Sequence, residues 1–135
     1  MRKEALLALV VLQGCASHTG VRPLRPLELA TARYQDVSGT ALTGSLLYED
    51  GCLLFRDEES KTLLLPIWPA GSTFNGTSVI FHEPAKADQR LIIGEEIAIQ
   101  GQAYAWSSLA HDYYQTFERQ CSVGPFVVGH VRPAN

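Results

Sequence analysis

Four histidines, His18, His82, His111 and His130, are the side chains best suited to metal binding, and Glu83 and Asp112 stand beside two of them. Their spacing matches no H-x-x-x-H or C-x-x-C zinc signature. His82 ends a segment that reads as a strand, with Glu83 opening the loop after it, and neighbouring residues along a strand leave by opposite faces. They are therefore not expected to share one ion, and no metal or other cofactor is expected. Ser107, Ser108, His111 and Asp112 supply a hydroxyl, an imidazole base and a carboxylate to orient it, the residue types of nucleophilic hydrolysis. At helical spacing Ser107 and His111 share a face, but no G-x-S-x-G elbow leads into a helix. These residue types are common enough to cluster by chance. The expectation is a protein that is not an enzyme, with a hydrolase or metal-binding protein using His111 and Asp112 as the contrasting reading. The carboxylate pairs Glu58-Glu59 and Glu95-Glu96 fall at turns or strand starts, where water accounts for them.

Binding chemistry has one candidate of its own. Trp68 and Phe74 lie in the stretch Ile67 to Phe74, interrupted by Pro69, Ala70 and Gly71. Two large aromatics in such a connection could form a contact surface for a protein partner or a glycan. They could equally plug the end of a small core that needs large side chains to close it, and that reading is favoured. The formal net charge of -3 and the absence of a basic cluster exclude nucleic acid as a partner.

The start of the chain carries an address. Arg2 and Lys3 precede the apolar run Ala5 to Leu12, and Gly14 stands just before Cys15, the layout of an export signal. The run is far shorter than the ~20 apolar residues a spanning helix needs. Leu12, Gly14 and Cys15 resemble the lipobox of bacterial lipoproteins, in which a branched aliphatic three positions before a cysteine and a small residue directly before it mark cleavage and lipidation. Gln13, between them, is a less usual choice. The resemblance implies that residues 1–14 are a removable leader and that acyl chains on Cys15 hold the protein on a membrane essentially permanently, at ~0.8 kcal/mol per buried methylene. Ala16, rather than aspartate, after the cysteine implies the periplasmic side of an outer membrane.

Removing the leader leaves about 120 of the 135 residues, enough for one core. Of the three cysteines, Cys52 and Cys121 then form an even pair in an exported protein, which reads as one disulfide. Residues 15–38, with Arg22-Pro23-Leu24-Arg25-Pro26, read as an extended tether that could lift the domain by at most ~70 Å. Within it, Leu27 to Tyr34 could be a short helix or a strand on the edge of the domain.

Residues 39–135 read as the folded domain. Ala41–Tyr48 and Cys52–Arg56 flank Glu49-Asp50-Gly51 as a hairpin. Lys61–Trp68 reads as a buried strand whose pairing fades from Pro66. Asn75-Gly76 marks a turn before the strand Thr77–His82; short strands follow at Leu91–Ile93, Glu95–Gly101 and Phe126–Val131. Trp106, Leu109, Ala110, Tyr113, Tyr114 and Phe117 recur at spacings of three and four, which predicts a helix over 107–119 started by Ser107 or Ser108. The fold class is mainly β: a small five- or six-stranded barrel with one helix in its C-terminal half, against a two-layer α+β sheet. The strand near Gly44, its hairpin and Gly94–Gly101 loosely resemble the OB-fold.

The expected role is a lipid-anchored binding or structural module of the cell envelope. Its partners would be the membrane, through Cys15, and another envelope protein or a cell-wall glycan. An inhibitor or immunity-type protein against a secreted enzyme is the alternative.

Overall fold

The computed structural model describes residues 22–109 and 112–133. In chain order the elements are β1 (Thr31–Ala32), β2 (Thr40–Glu49), β3 (Cys52–Asp57), β4 (Leu63–Pro69), β5 (Thr73–Phe74), β6 (Ser78–Phe81), β7 (Gln89–Ile92), β8 (Glu96–Ala103), a helix α1 (Gln115–Cys121) and β9 (Gly124–Arg132). The β2–β3 turn has Asp50 at φ 53° and Gly51 at φ 81°. Positive φ at both central residues matches the right-handed twist of the flanking strands, which is why Asp-Gly was legible as a hairpin. At the second turn the Asn75 side chain accepts from the amides of Thr77 and Ser78, both at 2.9 Å.

Five strands pair in a closed cycle. The order β4-β3-β2-β8-β9 is antiparallel throughout, and β9 returns to β4 in parallel, Leu64 to Ile67 against Gly124 to Val127. The fold is thus mainly β and barrel-like, as expected, with β1 added as a sixth strand parallel to the end of β4. Strands β5, β6 and β7 make a separate three-stranded sheet. Pairing along β4 does not fade at Pro66. It changes partner, leaving β3 at Leu64 while β9 and then β1 take over.

Strand neighbours leave no room for side chains at two crossings. A Cβ on Gly44 would lie 1.9 Å from the Arg56 carbonyl oxygen, and one on Gly101, beside a bulge in the β8–β9 ladder, 1.9 Å from that of Val127. Glycine is what permits both approaches.

Alternation divides the apolar side chains between two cores. Leu53 and Phe55 of β3, Trp68 of β4, and Phe126 and Val128 of β9 face inward with Leu46, Ile97 and Ile99. The small sheet covers this inner core with Val79, Phe81 and Leu91. The intervening residues Cys52, Leu54, Leu65, Ile67 and Val127 face outward against Phe117 and Ala30. β3, β4 and β9 are therefore buried on both faces, which explains their consecutive apolar residues.

Residues 22–38 belong to the folded body. Leu29 and Ala30 are 9% and 2% exposed, and Leu24, Ala32 and Val37 pack against the outer core. The Thr116 hydroxyl donates to the Arg22 carbonyl at 3.0 Å, and the Leu24 amide donates to Gln120 Oε1 at 3.1 Å. This segment is pinned, not a spacer, because it supplies apolar cover that β4 and α1 would otherwise lack. Residues 1–14 and Cys15 lie outside the described residues.

The helix expected over 107–119 is broken into pieces: 3-10 turns at Trp106–Ser108 and Asp112–Tyr114, then α1. No side-chain cap starts either the first turn or α1. The apolar spacing nevertheless marks the right residues, since Trp106, Leu109, Tyr113, Tyr114 and Phe117 all pack on the outer core.

Candidate functional site

The disulfide joins Cys52, at the start of β3, to Cys121, at the end of α1, with Cα atoms 5.8 Å apart. It fastens α1 to the outer face of the strand cycle. Cys15, His18 and His111 fall outside the described residues, so the expected lipidation site and the imidazole of the Ser107-Ser108-His111-Asp112 group are not among the groups seen here. Ser107 and Asp112 sit in separate 3-10 turns, not on one continuous helix.

Of the two readings of Ile67 to Phe74, contact surface or plug, burial speaks against the contact surface. Trp68 belongs to β4 and is 1% exposed; Phe74 belongs to β5 and is 8% exposed. Their rings meet core neighbours edge to face, Trp68 against Phe81 at 6.3 Å and Phe74 against Tyr48 at 5.1 Å. Both close the inner core, as the plug reading has it. The inward alternation of β4 turns Trp68 into the inner core.

The structure assembles a polar cluster elsewhere. Glu83, two residues after β6, is 6% exposed, and its Oε2 accepts from the Tyr34 hydroxyl at 3.1 Å and from Lys86 Nζ at 3.2 Å. The same oxygen stands 4.0 Å from Nδ1 of His130 in β9. Nε2 of His130 lies 2.7 Å from Asp36 Oδ1. Three distant segments are tied together here: the chain before β2, the β6–β7 connection and the last strand. Burial first, then the bond to Glu83, pushes the Tyr34 phenol up to about 12, so it is a donor at neutral pH and not a base. Among the described residues, the hydrogen-bond partner of His130 is the Asp36 carboxylate.

His82, next to Glu83, pairs through Nδ1 with Asp88 Oδ1 at 3.0 Å; both residues follow the end of β6 at Phe81, so strand alternation is not what separates their partners. Among the described residues no group of three or more His, Cys, Asp or Glu is arranged to hold a metal ion, and no helix is long and apolar enough to cross a membrane.

His130 also borders an open groove of about 230 Å³ with Ala41, Ala98, Gln100, Val131 and Arg132. The groove lies across β2, β8 and β9, where Ala41, Gln100 and His130 are register neighbours. Its amide, imidazole and guanidinium groups can hydrogen-bond a polar partner. Sequence reasoning missed this site because its residues are far apart in the chain. The one available signal was a histidine inside the otherwise apolar run Phe126–Val131. Comparison with protein-family models, curated proteins and solved structures returned no match.

Proposed function

We propose that this chain is an exported lipoprotein of a bacterial envelope, anchored through acyl chains on Cys15 at the periplasmic face of the outer membrane, whose barrel-like body is a binding or structural module and not an enzyme. The supporting observation is the Cys52–Cys121 bridge. Structural disulfides belong to oxidising compartments, and the leader layout with Leu12, Gly14 and Cys15 provides the route to one. With Trp68 and Phe74 in the core, the groove beside His130 is the surface best suited to an envelope protein or cell-wall glycan. Its polar side chains, Gln100, His130 and Arg132, stand beside the apolar Ala41, Ala98, Ile99 and Val131.

The test is mass spectrometry of the mature N-terminal peptide, with crosslinking in intact cells. A peptide beginning at Cys15 and carrying acyl chains, with a captured envelope component that is lost in Cys15→Ala and weakened in Arg132→Glu, is the expected result. An unmodified Cys15 within an uncut chain would overturn the reading.

A further inference from the structure

The tether is much shorter than the sequence implies, and that fixes which end of the molecule meets the membrane. This rests on the lipid anchor proposed for Cys15. Arg22 and Leu24 are bonded to Thr116 and Gln120 of α1, Gln120 in turn donates to the Asp50 carbonyl at 3.2 Å, and the Leu27 amide donates to the Tyr48 hydroxyl at 3.1 Å. The chain is thus held to the body from residue 22 onward, at the pole formed by α1 and the β2–β3 turn.

Only residues 16–21 separate Cys15 from Arg22. In any conformation seven Cα steps reach at most ~25 Å. A body of about 110 residues has a radius of gyration of ~13 Å and hence a diameter of ~35 Å. Because the reach is less than the diameter, the body cannot turn its far pole to the bilayer while Cys15 stays at the surface.

The near pole has a suitable contact. Leu27 is one of two exposed large apolar residues among those described, at 39% exposure, and follows Pro26 in a tight turn with φ 60°. A left-handed backbone is unfavourable for a leucine. A Cβ placed on Gly76 would lie 3.7 Å from Leu27 Cδ2, so the Asn75–Gly76 turn belongs to the same pole. Arg22 and Arg25 both precede Leu27 in sequence, with Arg22 tied to Glu28. Arginine suits lipid phosphates and leucine the boundary of the acyl chains.

We infer that this pole, with Leu27 at its centre, rests against the phospholipid bilayer that holds the anchor, and that the groove beside His130 faces away from it. Ala41 in the groove and Tyr48 at the pole are both in β2, seven residues and thus ~23 Å apart along the strand.

The experiment uses the full-length acylated protein purified from membranes and reconstituted in vesicles of phosphatidylethanolamine and phosphatidylglycerol. Leu27→Cys, Arg25→Cys and Ala41→Cys each add one free thiol for an environment-sensitive fluorophore, since Cys15 is acylated and Cys52 and Cys121 are bridged. Circular dichroism checks each fold. Quenching by headgroup spin-labelled lipid should be at least threefold stronger at positions 27 and 25 than at 41. Equal quenching, or stronger quenching at 41, in protein whose acylation is verified by mass overturns the orientation. Absence of acylation by mass is a separate result: it removes the anchor on which the orientation depends and so overturns both readings.

Discussion

Glu83 draws on one oxygen for three neighbours, so its loss should be felt by all of them. Glu83→Ala leaves the Tyr34 hydroxyl and Lys86 Nζ without their acceptor. Removing one partner of a buried polar contact costs ~1–3 kcal/mol, whereas exposed ion pairs contribute under ~1 kcal/mol. His130→Ala, whose partner Asp36 has a side chain 77% exposed, should therefore cost less than Glu83→Ala. Urea denaturation with an unchanged slope distinguishes the two, and equal losses would contradict this ranking. Glu28 gives a pH signature. The hydrogen bond from Arg22 is the main influence lowering its pKa from the usual 4.5. A lowered carboxylate contributes stability above its unfolded pKa and loses it as pH falls through the folded value. The stability gap between wild type and Glu28→Gln should thus be full at pH 7 and shrink below pH ~4.5; a gap that persists in acid would refute it. The Tyr34–Glu83 and Asp36–His130 pairings were not legible in the sequence, because partners 49 and 94 residues apart are brought together only by tertiary folding.

Elements were more legible where the signal was local. Asp50-Gly51 and Asn75-Gly76 supply the backbone freedom their turns require, and both hairpins form around them. Alternation found β8, and consecutive apolar residues found β4. The helix was less well read. Spacing identified which residues between Trp106 and Phe117 face the core but not that two 3-10 turns would carry several of them, since packing on β3, β4 and β9 overrides local propensity. Trp68 shows a related difficulty. Flanking prolines suggested that pairing fades there, yet β9 and then β1 continue the pairing and the ring packs in the inner core against Phe81. Trp68→Ala should destabilise the fold by ~3–5 kcal/mol, read as a lowered urea midpoint. A folded variant of near wild-type midpoint would be incompatible with a core position.

For the whole molecule, two long-range ties are testable. The disulfide closes a sequence separation of 69 residues, worth at most ~4 kcal/mol in the chain-entropy model. The Cys52→Ser, Cys121→Ser double variant should melt ~10–20 °C lower, and an unchanged melting temperature would show that the bridge adds nothing. A chain shortened to begin at Gly39 loses Leu29, Ala30 and β1. It should be unstable or prone to aggregation, and cooperative unfolding at the original temperature would show that residues 22–38 are dispensable. The parallel pairing of β4 with β9 has a consequence for how the chain folds. β9 completes the cycle by pairing with both β4 and β8, and without it each of those strands keeps an open edge. Closure joins residues 64–67 to residues 124–127, so the cycle cannot seal through local contacts alone. Such long-range closure slows folding, and the open edges stay exposed until it is made.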